Sequence, residues 1–260
     1  MCASYKIPRP KSESFLLQLE FFAEKSERQQ PKGSPQYPVP ENHSQNRNLL
    51  HILLSNGPIP GFHSYSILPE TGFFGLSGNP IEKIFYGRLP VKKAASGYYF
   101  SKSSVLQRLT HQLKYSGNRE VGRQLGRWMG LQLQNSGRFT DVEALVPLPL
   151  FPEKEKKRGY NQATLLCEGI ADICNLPVLN DAVRRKRYTD TQTKKGRTER
   201  LKNVEGSFEL GDAQLIRQKH VLLVDDVITT GATLEACGFA ITQAENTALS
   251  IATLAWSSNE

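Results

Sequence analysis

Two adjacent carboxylates, Asp225 and Asp226, close an apolar run in the string VLLVDDVITTGAT, residues 221–233. A turn of small and hydroxyl residues follows at once: Thr229, Thr230, Gly231, Ala232 and Thr233. Small residues let a backbone come close to a ligand. N–H groups at a helix start form a cradle for an anion, and the helix dipole favours negative charge there. The threonine hydroxyls add donors. A carboxylate repels a phosphate but accepts hydrogen bonds from vicinal hydroxyls. A sugar phosphate meets both demands, with its phosphoryl group on the turn and its hydroxyls on Asp225 and Asp226; ribose 5-phosphate fits. Two other readings compete. An apolar strand ending in Asp-Asp resembles the Walker B element of an ATPase, but no G-x-x-x-x-G-K-[ST] string accompanies it. Thr229 or Thr230 as a helix N-cap accounts for one threonine and leaves the two aspartates unexplained.

These residues need a frame. HVLLVDD, residues 220–226, reads as a central strand covered on both faces. Its acids sit at the C-terminal end, where open parallel sheets bind ligands. Residues 234–243 predict a helix and 249–256 a last strand. Upstream, AASGYYF (94–100) is strand-like and 101–115 helical, with Val105, Leu109 and Leu113 at four-residue steps. A second helix starts at Glu120, with Val121, Leu125, Trp128 and Met129 on one side. ALVPLPL (144–150) is a short apolar run, FPEKEKKRGYNQ (151–162) is polar, and 162–174 returns to helical spacing. Ala182–Val183 reads as the edge of another strand. Strand alternating with helix predicts an α/β fold: a central, mostly parallel sheet flanked by helices, with right-handed crossovers.

The 260 residues suffice for one sizeable α/β domain, placed at 67–260, plus an extension. Residues 1–66 form a low-complexity N-terminal extension, expected to be disordered or irregular: 29–48 is rich in Pro, Ser, Asn and Gln, with a short helix around 14–27 as its one ordered candidate. Lys and Arg number 33 against 25 Asp and Glu, a net charge of +8. That excess suits an anionic partner such as a phosphorylated small molecule or a nucleic acid, although mild basicity alone does not require one. Residues 184–202 hold much of it, with few apolar residues, and read either as a functional loop beside a phosphate site or as a solvated charge run. Cys2, Cys167, Cys174 and Cys237 form no C-x-x-C pair, which predicts reduced thiols. No apolar run approaches the roughly 20 residues of a membrane helix, and the N-terminus lacks a signal-peptide core. A cytoplasmic protein with no membrane insertion is the expectation.

The string VLLVDDVITTGAT resembles the PRPP-binding motif of type I phosphoribosyltransferases. LKYSGNREVGRQLGRWMG (113–130), VPLPLFPEKEKKRGYNQATLLCEGIA (146–171) and TDTQTKKGRTERLKNVEGSF (189–208) resemble the ComF family, phosphoribosyltransferase-like proteins linked to bacterial DNA uptake. The resemblance covers about residues 67–256 and implies the type I phosphoribosyltransferase fold. It implies that Asp225 and Asp226 bind the ribose hydroxyls of PRPP, and that Thr229, Thr230, Gly231, Ala232 and Thr233 bind its 5-phosphate. The loop with Arg158 and Gly159 would approach the pyrophosphate, and Asn161 and Gln162 would order that loop. Residues 184–200, beginning with Arg184 and Arg185, would be the flexible loop that closes over the site. Mg²⁺ would arrive with PRPP. The expected catalytic set is Asp225, Asp226, Arg158, Arg184 and Arg185.

Family members usually carry an N-terminal cluster of C-x-x-C pairs. Here the region before Leu68 has only Cys2, and His43, His51 and His63 lack sulfur partners, so no zinc site is expected. The acceptor is not named by any residue. SGYYFSKSS (96–104) and Trp128 either stack an acceptor base or belong to the core. The resemblance also leaves open a non-catalytic part in DNA uptake, with single-stranded DNA or a helicase as partner and Lys156–Arg158 on phosphates, or a sensor that binds PRPP without turnover.

Overall fold

The computed structural model describes residues 68–101, 104–115, 119–186 and 206–257. The N-terminal extension with its candidate helix, Cys2, His43, His51 and His63, and the basic segment from 187 to 205 lie outside the described residues.

Helix α1, Pro80–Phe85, starts on Asn79, whose side chain accepts from the N–H groups of Ile81 and Glu82 at 2.9 and 3.2 Å. Proline at the first helical position costs no hydrogen bond there. Strand β1 (Ala94–Tyr99) precedes helices α2 (Val105–Tyr115) and α3 (Arg119–Ser136). Strand β2 (Ala144–Pro147), helices α4 (Pro152–Arg158) and α5 (Gln162–Cys174), and the short strands β3 (Val183–Arg185) and β4 (Phe208–Leu210) follow. Strand β5 (His220–Ile228), helix α6 (Ala232–Ile241) and strand β6 (Ala248–Trp256) complete the order.

Four strands form one parallel sheet in the order β1-β6-β5-β2. The two central strands, β5 and β6, are buried along almost their whole length, which is why their sequences are apolar without alternation. The expected edge strand at Ala182–Val183 becomes β3, but it pairs antiparallel with β4 in a separate two-stranded sheet. Arg184 and Arg185 therefore sit on a strand, not in a loop. A second departure is α4: the polar segment after β2 coils into a helix on Pro152, with Glu153 and Glu155 in its first turn and Lys156, Lys157 and Arg158 in its last, a charge order that suits the dipole.

Helices α3 and α5 pack backbone to backbone. A Cβ on Gly126 would lie 2.2 Å from the Leu166 carbonyl oxygen, and one on Gly169 would lie 2.0 Å from that of Arg123. Trp128 and Tyr98 are buried at 3% exposure, which assigns them to the core and not to a base-stacking surface. Tyr99 packs against Phe73 and Trp256 at centroid distances of 5.9 Å each.

Candidate functional site

Strand β5 carries both acids and runs on past them to Ile228, so they lie inside the strand and not at its last residue. Consecutive strand residues point to opposite faces. The two carboxyl groups nonetheless stay in contact, and the Asp225 carboxyl also feels the Lys114 charge. Asp226 faces α2, where Lys114 Nζ lies 2.6 Å from Oδ2. Asp225 is in register with Thr253 of β6, which is itself in register with Ser96 of β1. Leu249, on the same face of β6, meets Gly238 of α6, so this polar row lies beneath α6. The two acids stay linked: the Asp226 N–H donates to Asp225 Oδ1 at 2.8 Å.

Burial, and then the neighbouring Asp226 charge, push the Asp225 carboxyl well above the usual carboxylate range. A raised folded-state value means the native state holds its proton more tightly than the unfolded chain. Asp225 therefore costs least below the unfolded-state value of about 3.9, and stability falls as pH rises through the folded-state value. Asp225→Asn is expected to raise the thermal midpoint at pH 8 and to leave it nearly unchanged at pH 3. Denaturation scans at the two pH values check this; an equal shift at both would contradict it.

After β5 the chain turns through Thr229 and Thr230, both exposed, into α6. The N-cap is Gly231 in the left-handed conformation, φ 75°, with no side-chain cap. The competing reading of a threonine N-cap thus fails; Thr230 Oγ1 sits 3.5 Å from the Ala232 N–H, at the limit of a hydrogen bond. The first N–H groups of α6 thus emerge beside small residues at the end of β5. A Cβ on Gly231 would lie 2.7 Å from Ile84 Cγ2, so α1 props the turn from behind. Arg88, just after α1, donates to the Thr230 carbonyl at 3.3 Å and pairs with Glu235 of α6. Gly231→Ala is expected to cost roughly 1–3 kcal/mol from the left-handed backbone and the clash, read as a lowered midpoint in urea unfolding; a midpoint equal to wild type would contradict the packing described.

The Arg158–Gln162 turn is ordered on all sides. Gly159 caps α4 in the left-handed conformation, φ 83°. Asn161 caps α5 by accepting from the Ala163 N–H at 3.0 Å, and donates to the Leu148 carbonyl at 2.9 Å. Arg158 bonds Gln162. Gly159, Arg184 and Arg185 come together at a cavity of about 590 Å³ beyond β2, walled by Pro149 and Tyr160. Arg185 is held there between Phe151 and Phe208, 3.9 and 5.0 Å from their ring centroids. Asp225, Asp226 and the 229–233 turn do not line this cavity. The structure therefore gathers the expected residues in two neighbouring places: acids and turn at the end of β5, glycine and arginines beyond β2. Lys114 and Arg88 were not singled out from the sequence. Lys114 lies in a string marked only by resemblance, and Arg88 lies in no motif; their roles come from contacts with residues far along the chain.

Residues 161–258 match the family described as "Phosphoribosyl transferase domain". The chain is 33% identical over 147 residues to "Competence protein F" of Haemophilus influenzae, an alignment covering 55% of this chain and 63% of that protein. It is 38% identical over 90 residues to "Competence protein ComFC" of Bacillus subtilis, covering 35% and 34%. Over these stretches the chain is similar to competence proteins of the ComF type and to the phosphoribosyl transferase domain. A further relative, "DNA utilization protein YhgH" of Escherichia coli, is 33% identical over 132 residues, covering 50% of this chain and 57% of that one. The match thus spans less than two thirds of the length of each of these relatives. Among solved structures, "Structure of the allosteric regulatory enzyme of purine biosynthesis" aligns over 52% of this chain and 25% of that one, at 17% identity and a TM-score of 0.37. Residues 68–257 have the type I phosphoribosyltransferase fold, on the domain match and the helix-flanked parallel sheet. Among the described residues no helix is long and apolar enough to cross a membrane. No three His, Cys, Asp or Glu side chains converge among them.

Proposed function

We propose that this chain binds PRPP and transfers its ribose 5-phosphate to a nucleophilic acceptor, releasing pyrophosphate. The observation that carries the reading is the turn at Gly231, whose left-handed cap supplies no side chain, so that the first N–H groups of α6 emerge beside exposed hydroxyls, with Thr230 Oγ1 3.5 Å from the Ala232 N–H. The 5-phosphate would sit on Thr229–Thr233. Asp226 would accept the ribose hydroxyls, with Asp225 holding it in place through the Asp226 N–H. Arg158, the Gly159 backbone, Arg184 and Arg185 would face the pyrophosphate. In the transfer, the bond from ribose C1 to the pyrophosphate oxygen breaks and its electron pair leaves with pyrophosphate. A lone pair of the acceptor forms the new bond to C1, and the acceptor gives up a proton to solvent or base. The residues' work is positioning and charge stabilisation. Mg²⁺ on the phosphate oxygens would spread the leaving charge. A reduced, cytoplasmic setting accords with the free thiols of Cys167, Cys174 and Cys237.

The test is calorimetry with PRPP and Mg²⁺, followed by a screen of purine and pyrimidine bases for pyrophosphate release. Binding with release supports the transferase; binding without release for any base supports a sensor; no binding overturns the reading.

A second reading follows from the names of the relatives, the +8 charge and the exposed Lys156 and Lys157 on α4: contact with single-stranded DNA, alone or with a DNA-uptake helicase. Binding through phosphates must weaken steeply with salt. Electrophoretic shift of a single-stranded oligonucleotide is expected at low salt and lost at high salt; no shift at low salt contradicts it.

A further inference from the structure

The string Leu113–Arg119 contributes to the family resemblance, yet the transfer proposed above gives it no part. The structure ties it to both halves of the site. The Leu113 carbonyl accepts the Tyr160 hydroxyl at 2.6 Å. Arg119 donates to the Gly159 carbonyl at 2.6 Å and lies 5.3 Å from the Tyr160 ring centroid. The Arg158 guanidinium lies 6.0 Å from the centroid of the Tyr115 ring. The end of α2 is thus fixed against the turn that would face pyrophosphate. From that fixed end, Lys114 reaches the acid that would face ribose.

The Lys114–Asp226 pair has an unusual balance. The carboxylate is 7% exposed and the lysine side chain 29%. Their separation is 2.6 Å, yet Asp226 Oδ2 makes no hydrogen bond of good geometry. Charge alone holds the contact. An ammonium on a four-carbon stem re-aims without moving the backbone. A pyrophosphate arriving at Arg158–Gly159 would set several negative charges beside it, while sugar hydroxyls would supply Asp226 with directed hydrogen bonds instead. Attraction scales with the product of charges at a given distance, so the phosphoryl oxygens are the stronger partner.

We propose that Lys114 is a binding residue for the pyrophosphate end of PRPP, exchanging its ion pair with Asp226 for one with the ligand as the ribose hydroxyls take the carboxylate. This rests on the PRPP reading and adds a residue to it. No proton moves and no covalent bond changes in the exchange.

The role makes an unequal demand on two ligands. PRPP has the pyrophosphate that Lys114 would bind; ribose 5-phosphate lacks it and only competes with Lys114 for Asp226. Calorimetry of wild type, Lys114→Met and Lys114→Arg with each ligand, at fixed Mg²⁺, separates the cases. The methionine variant is expected to bind PRPP at least about tenfold more weakly, the scale of one charge-assisted hydrogen bond, and to bind ribose 5-phosphate as well as wild type or more tightly. The arginine variant is expected to retain most of the PRPP affinity. Equal weakening of both ligands shows a structural role and overturns the proposal, as does PRPP affinity unchanged in Lys114→Met. A wild-type chain that binds neither ligand overturns the PRPP reading and this role with it.

Discussion

Replacing Asp226 by asparagine is expected to weaken PRPP binding by about two orders of magnitude in Kd, near 3 kcal/mol. The carboxylate lies on the face that also presents Lys114, and it is buried. An ionised carboxylate offers acceptors on both oxygens; asparagine turns one of them into an N–H₂ donor that opposes a sugar hydroxyl. The shape is kept, so the loss reports charge and hydrogen bonding, not packing. Asp225→Asn is expected to do less to affinity. Its oxygen accepts the Asp226 N–H at 2.8 Å, a contact an amide oxygen can also make. Calorimetry on the two variants decides. Equal losses would mean that the two acids grip the sugar together, and the assignment to Asp226 would fail.

The second large effect is on stability. Gly126→Ala and Gly169→Ala each place a methyl group against a backbone oxygen, 2.2 and 2.0 Å from the Cβ position. A flexible side chain could rotate away; a carbonyl inside a helix cannot, so α3 and α5 must separate. Overpacking of this kind costs about 3 kcal/mol or more, and the gain in helix propensity offsets about 1 kcal/mol of it. The net loss of about 2 kcal/mol lowers the thermal midpoint by roughly 4–8 °C in a domain of this size. The double variant is expected to lose less than the sum, because one separation of the helices relieves both clashes. Gly137→Ala is the control. Its φ of 62° is strained for alanine but no atom lies within 4 Å of the new Cβ, so about 1 kcal/mol is expected. Scanning calorimetry that ranks Gly137 with the helix pair would contradict the close approach.

Much of this frame could be read from the sequence, for reasons visible in particular residues. HVLLVDDVI is apolar on both faces because β5 lies between two neighbours with helices above and below, and that made it the plainest strand in the chain. The α2 and α3 boundaries fell within a few residues of expectation, since SGN breaks the pattern between them. Helix α4 was not legible: PEKEKKR has no apolar stripe because none of its residues is buried. Nor was β4, whose three residues become a strand only by pairing with β3. At the site, the string VLLVDDVITTGAT showed which residues gather but not how they face. Burial and the contact with Asp226 change what Asp225 can do. Lys114 could not have been placed by spacing, because it meets Asp226 only once α2 lies across the sheet.

The most direct measurement is a crystal structure of the chain grown with PRPP and Mg²⁺. The predicted result is a 5-phosphate within about 2.7–3.2 Å of the backbone N–H groups between Thr230 and Thr233, with ribose hydroxyls on Asp226 and the pyrophosphate toward Gly159. PRPP bound wholly in the cavity beyond β2, with the Gly231 turn untouched, would contradict the account.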